Sequence, residues 1–372
     1  MPLDPYFAAM HRSHLRDLAH QFRRRTFLST RRFFARFGPR TARQQARKAS
    51  RAQAASSARK STSEWKRKNA HAWDTKFFDR IGVYGPTVPT EDRTIAVDGY
   101  PDVRVRLYRP TTDGGGPLPA VIMFFGGSFQ LGGIDWASED ALFRSRTADA
   151  EVITIAVDYA LAPEHRFPTP VRQGYAVLDW VHGNAADLGI DPTRVAIGGI
   201  SSGANIAAAV TLANRQRARH PICLQILEVP ALDLTGKHID FTPLWTLHVP
   251  YFLARRELVQ VANAYLGDRS RARDPLASPL LAPDLRGLPP AVILTAEFDV
   301  LRGDGRAYAH ALRAAGVAAS AVEYEGGVHD TVDYRAVVPL AERWHRDVVT
   351  ALRTLHDPST LRSGRPDVTP PG

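Results

Sequence analysis

Cysteine is nearly absent: of 372 residues, only Cys223 carries a thiol. One thiol forms no internal disulfide, so packing must hold the core and a reducing compartment is open to the chain. Its place in the apolar run ICLQILEV predicts a buried structural thiol rather than a reactive one. Long apolar runs are missing too. No stretch reaches the roughly 18 residues that cross a bilayer, and no apolar segment precedes a small-residue cleavage site near the start. The expected location is therefore the cytoplasm.

Acidic residues are scarce at one end only. Residues 1–70 hold 18 Lys or Arg against 3 Asp or Glu, and because the whole chain carries +10, the remainder is net negative by 5. The basicity belongs to an arm. In FRRRTFLSTRRFFARF, residues 22–37, helical spacing gathers Phe22, Phe27, Phe33, Phe34 and Phe37 on one side, with most arginines opposite. That stretch has three readings: weak contact with an anionic membrane surface, an organelle presequence, or an aromatic face packed on the protein's own body. The following segment, rich in Ala, Ser and Arg, reads as a solvated helix or a loose linker. It offers neither aromatic platforms nor a recognisable module, so no nucleic-acid partner is expected.

What is present is enough apolar material for a large core, at 44% of residues. From about residue 91, β-rich runs alternate with helical periodicity: DRTIAV, VRVRLY, AVIMFF, VITIAVD, RVAIGGI, CLQILEV, AVILTAE and SAVEYE. The later runs are continuously apolar, which predicts an α/β fold with a mostly parallel eight-stranded sheet and helices on both faces. The first two runs, joined by a Gly-containing turn, predict an antiparallel start.

The stretch MFFGGSFQLGG, residues 123–133, ends an apolar strand in paired glycines. Such a turn presents backbone N–H groups to an anion. No phosphate-loop pattern G-x-x-x-x-G-K-[ST] and no dinucleotide pattern G-x-G-x-x-G occurs here, so no nucleotide cofactor is expected. Downstream, RVAIGGISSGANIAAAV sets Gly199-Ile200-Ser201-Ser202-Gly203 between a strand and an alanine-rich helix. This is G-x-S-x-G in the context it needs: a sharp strand-to-helix turn lifts the serine Oγ, and residues two positions away must be small.

A serine hydroxyl needs a base within hydrogen-bond reach and an acid to orient that base. Asp299 follows the strand AVILTAEF, at the end where a parallel strand gives way to its loop. Asp304 reads as a helix start. His329 sits in the loop GGVHD after the last strand, whereas His165, His182, His310 and His345 fall in turns or on helical patterns and read as structural. Ser201, Asp299 and His329 thus form the candidate catalytic set, and no metal or cofactor is implied.

Together these residues resemble the hormone-sensitive-lipase-like group of the α/β-hydrolases, also called family IV esterases. DYALAPEHRFPTPV at 158–171 is similar to the group's D-Y-R-L-A-P-E-x-x-F-P segment, and DPLASPLLAPDLRGLPPAVILTAEFDVLRGDG at 274–305 and MPLDP at the start also match. The resemblance spans about 91 to 356 and implies an α/β-hydrolase catalytic domain there. It further implies a helical cap from residues 1–90 and an insertion at about 236–275, leaving 357–372 as a flexible tail. By position, the group's oxyanion donors fall on the N–H groups of Gly127, Ser128 and Ser202. Its H-G-G-G turn reads Phe125-Gly126-Gly127-Ser128 here, so a bracing histidine is lost and a Cβ is added. The implied activity is hydrolysis of a small to medium carboxylic ester by a monomer or homodimer. An arylformamidase-like amidase or a non-catalytic receptor on the same scaffold are the alternatives. The run FTPLWTLHVPYFLARREL reads either as acyl-pocket lining or as ordinary cap packing.

Overall fold

The computed structural model describes residues 3–9, 44–112 and 115–357, with side chains from Ser63 onward in the first long helix. The aromatic and arginine-rich stretch 22–37 and the tail beyond 357 lie outside the described residues.

Eight strands form one sheet: β1 (Thr90–Ile95), β2 (Val103–Tyr108), β3 (Leu118–Phe124), β4 (Ile153–Asp158), β5 (Ile190–Ile200), β6 (Leu224–Glu228), β7 (Ala291–Phe298) and β8 (Ala319–Val328). Their spatial order is β1-β2-β4-β3-β5-β6-β7-β8. β2 runs antiparallel to both β1 and β4, and every later pairing is parallel. Residue pattern follows topology. In VRVRLY the valines are buried while the arginines between them are only half-buried, as an antiparallel strand near an edge requires. In β6, LQILE is buried at every position because both faces are covered.

The longer helices are α1 (Gln44–Ile81), α2 (Ala137–Ala150), α3 (Thr169–Gly183), α4 (Ser202–Arg215), α5 (Tyr251–Leu266), α6 (Arg302–Ala314) and α7 (Pro339–Arg353). α2 packs against α7, and α3 packs against α4, which also lies on β5. α4 is buried from Ser202 to Asn214, and its run of alanines lets it approach the sheet closely. α5 buries only Ala262, Tyr265 and Leu266 near its C-terminal end, leaving Tyr251 and Phe252 exposed at the other. The segment after the basic arm, read above as a solvated helix or a linker, forms most of α1.

Two expectations need adjustment. Cys223 is half-buried rather than buried, because it precedes β6 at the sheet's bottom edge, where its Sγ–H donates to Thr193 O at 2.8 Å. The RVAIGGI strand begins earlier than its apolar residues do, at Ile190, because Leu118 pairs with Ile190 before a register shift.

Candidate active site

β5 ends at Ile200, and the chain turns at once into α4. Between them Ser201 adopts φ 53°, ψ −112°, a conformation that L-residues avoid and that costs on the order of 1–3 kcal/mol unless its surroundings impose it. The surroundings do impose it. Ser201 N–H donates to Glu228 O at 2.8 Å, and a Cβ on Gly203 would come within 2.2 Å of Phe124 O. Only glycine at 203 lets the helix start this close to β3.

The candidate set assembles around this turn. His329, in the loop after β8, places Nε2 3.0 Å from Ser201 Oγ and Nδ1 2.8 Å from Asp299 Oδ2. Asp299 is 3% exposed, and its Oδ1 accepts the Leu301 N–H at 2.9 Å, so both carboxylate oxygens are held. Asp304 points elsewhere. It lies in the first turn of α6, and its Oδ2 accepts the N–H groups of Leu232 and Asp233 at 2.7 and 2.9 Å. Burial raises the Asp304 carboxyl to about 7. His345 bonds Asp149 at 2.7 Å and His182 stacks on His220, both away from Ser201.

The glycine turn follows β3, whose Phe124 pairs with Gly199 of β5, so it borders the serine. Gly127 has φ 125°, and a Cβ there would meet Leu131 O at 2.2 Å. Ser128 and Phe129 follow at φ 56° and 60°. Ser128 therefore holds the left-handed conformation that its Cβ disfavours, a strain of about 1–2 kcal/mol. Among the described residues, the N–H groups of Gly127, Ser128 and Ser202 bond no protein acceptor. The lost histidine is replaced by packing: the Phe125 ring stacks on Tyr159 at 4.2 Å, and Tyr159 O–H donates to Phe125 O at 3.0 Å.

Two cavities meet at Ser201 and His329. One, of about 440 Å³, runs toward α5 and is lined by Leu234, Ile239, Phe241, Tyr251, Leu258 and Phe298 among others. The other, of about 300 Å³, runs toward α1 and is bounded by Trp73, Gly127 and Asp333. Of the FTPLWTLHVPYFLARREL run, Phe241, Tyr251 and Leu258 line the first cavity and Leu244 is buried, while Trp245 and Phe252 face outward. Among the described residues, no three His, Cys, Asp or Glu side chains converge as metal ligands would.

A strained serine on a strand-to-helix turn, hydrogen-bonded to a histidine and through it to a carboxylate, sits on a sheet whose residues 121–333 match the alpha/beta hydrolase fold family. The chain belongs to the α/β-hydrolases. Within them it falls in the hormone-sensitive-lipase-like group. It is 37% identical over 278 residues to carboxylesterase NlhH of Mycobacterium tuberculosis, covering 73% of this chain and 84% of that one. Its fold is similar to the crystal structure of EstE1, a thermostable carboxylesterase cloned from a metagenomic library, at TM-score 0.71 and 34% identity, covering 79% and 97% of the two chains. The hyperthermophilic esterase of Pyrobaculum calidifontis gives TM-score 0.71 at 31% identity, covering 79% and 94%.

This hydrolase also holds its serine from beneath by groups the sequence did not single out. Glu228, wholly buried at the end of β6, takes Arg146 in a two-pronged pair at 2.7 Å on each oxygen and accepts Trp344 Nε1–H at 2.7 Å. Its carbonyl is the acceptor for Ser201 N–H. A charge inside the apolar run LQILEV was the only available signal, and its partners come from α2 and α7, far off in sequence.

Proposed function

We propose that this protein is a serine carboxylesterase working through an acyl-enzyme. The reading rests on one observation: the His329 imidazole bridges Ser201 Oγ and Asp299 Oδ2 at hydrogen-bond distance on both sides. In the neutral tautomer Nδ1–H donates to Asp299, which leaves Nε2 to accept the Ser201 proton. Oγ then adds to the ester carbonyl, and the new oxyanion takes hydrogen bonds from the N–H groups of Gly127, Ser128 and Ser202, which bond no acceptor among the described residues. Collapse breaks the C–O bond, and His329 returns the proton to the departing alcohol. Water repeats the sequence on the acyl-enzyme and frees the acid. The catalytic domain is taken as 91–356, with the cap drawn from residues 236–275 and the described part of 1–90. The two cavities meeting at Ser201 divide the substrate into its two portions.

The pH profile follows from the surroundings of His329. Burial pushes the imidazole down, but the Asp299 carboxylate against it, with Asp330 and Asp333 nearby, outweighs that and holds it up to about 9. Only the neutral ring accepts a proton, so activity grows as pH climbs toward that value. The expected kcat/KM for p-nitrophenyl butyrate rises from about pH 7 to about pH 10, with its midpoint near 9. A flat or falling profile over that range contradicts the assignment of the base.

An amidase works on the same constellation, and a receptor on this scaffold would not turn over. A matched panel of p-nitrophenyl esters and N-acyl anilides, run beside covalent labelling by a fluorophosphonate, separates the three. The expected result is labelling at Ser201 and preference for esters. Turnover of anilides alone, or no labelling, sinks the esterase reading.

A further inference from the structure

The cavity on the α1 side of Ser201 has an uneven wall. Four carboxyl groups border it: Asp74 from α1, Glu139 from α2, and Asp330 and Asp333 just after His329. No Lys or Arg lines it among the described residues, and His329 is its one basic group. The cavity toward α5 differs in kind: its four carboxyls, Asp233, Glu257, Asp299 and Asp304, share the wall with Arg255 and Arg269. Aromatic rings complete the α1-side wall: Trp73, Phe77, Trp136 and Tyr334, with Trp73 stacked on Phe77 at 4.3 Å.

These carboxyls are not consumed by the fold's own cations. Glu139 Oε2 is closed off from solvent and bonds no donor among the described residues. Burial raises Glu139 well above the usual carboxylate range, with Asp333 and Asp74 adding to it. Burial likewise raises Asp333 to about 8, reinforced by Asp330 and Asp74. A cation entering this half-open recess draws those protons off, and the carboxylates so formed hold it by Coulomb attraction while the rings add cation–π contact. The donors do not converge as metal ligands would, which favours a diffuse organic cation over a metal ion.

We propose that the α1-side cavity binds the ammonium group of a cationic ester, so that the substrate carries a quaternary or protonated amine on one side of the carbonyl that Ser201 attacks. This rests on the esterase reading above, and its test is built to fail separately.

Each cationic ester is compared with a neutral isostere in which carbon replaces the ammonium nitrogen. Butyrylcholine against 3,3-dimethylbutyl butyrate places the charge in the alcohol. Ethyl 4-(trimethylammonio)butanoate against ethyl 5,5-dimethylhexanoate places it in the acid, with three methylenes keeping the ammonium from activating the carbonyl. In one of the two pairs kcat/KM is expected to favour the cation by about tenfold or more. Asp333→Asn is expected to erase most of that ratio, and Glu139→Gln provides a second reading should Asp333→Asn fold poorly. Calorimetric titration with phenyltrimethylammonium reads binding without turnover, and the wild-type protein is expected to bind it about tenfold more tightly than tert-butylbenzene. Ratios near one in both pairs, with no ammonium binding by calorimetry, overturn the proposal. If no ester of any charge is hydrolysed, the esterase reading fails while the titration still decides this one.

Discussion

Ser201→Ala protein is expected to fold as the wild type does and to lose ester hydrolysis by about 10⁴-fold or more. The size of the effect comes from the chemistry: without Oγ no acyl-enzyme forms, and the positioned oxyanion donors and His329 can assist only a weak direct attack by water. The folding expectation comes from the geometry. Ser201 Oγ bonds His329, while the features that create the turn are main-chain ones: Ser201 N–H on Glu228 O and the close approach of Gly203 to β3. Alanine meets the same left-handed strain at φ 53° as serine does, so strain changes little. Turnover of p-nitrophenyl butyrate, melting temperature and the mass shift after fluorophosphonate treatment measure the three parts. Retained turnover with a retained adduct means that another nucleophile acts, and the site assignment is then wrong.

Those features also mark how far the sequence carried. The sheet was legible because parallel strands buried on both faces must be continuously apolar, and AVIMFF, VITIAVD and AVILTAE are. Strand ends were less legible: apolarity says nothing of Ile190 pairing with Leu118 ahead of the core of β5. Ser201, Asp299 and His329 could be singled out because each ends a strand or opens its loop, the end of the sheet where such loops gather. The turn at Phe125 could be located, but its bracing could not. A missing histidine reads as a loss, and only the fold reveals that Phe125 lies flat against Tyr159.

The charged groups around the site escaped for a different reason. Glu228, Arg146 and Trp344 come from a strand and two helices, and no local pattern announces that they share a buried hydrogen-bonded cluster. Such a pair adds little net stability over an apolar filling, yet removing one partner strands a buried charge. Asp74, Glu139 and Asp333 are similar. Each looks like an ordinary helix or turn acid alone, and Asp74 does cap α2 by accepting Ala137 N–H at 2.9 Å. Only their meeting beside His329 gives the cavity its sign.

Asp299→Asn is the second large effect expected, with kcat reduced about 10⁴-fold while the fold survives. The argument turns on a proton. Asp299 Oδ2 accepts the His329 Nδ1–H and thereby leaves Nε2 bare toward Ser201. An asparagine whose amide faces Nδ1 donates instead of accepting, which selects the tautomer with hydrogen on Nε2 and removes the acceptor that Ser201 needs. The imidazolium formed during attack also loses its counter-charge, because the Asp299 carboxylate is the strongest influence holding His329 up. Asp304 cannot take over, since its Oδ2 is bound to the Leu232 and Asp233 N–H groups. Two measurements distinguish this role from a structural one. KM for p-nitrophenyl butyrate is expected to stay within about threefold while kcat falls, because Asp299 does not touch the ester. The residual activity is expected to titrate at lower pH than in the wild type, because the carboxylate that opposed burial at His329 is gone. If kcat is unchanged, or falls with no shift in the profile and a collapse in melting temperature, Asp299 braces the β7 loop rather than orienting the base.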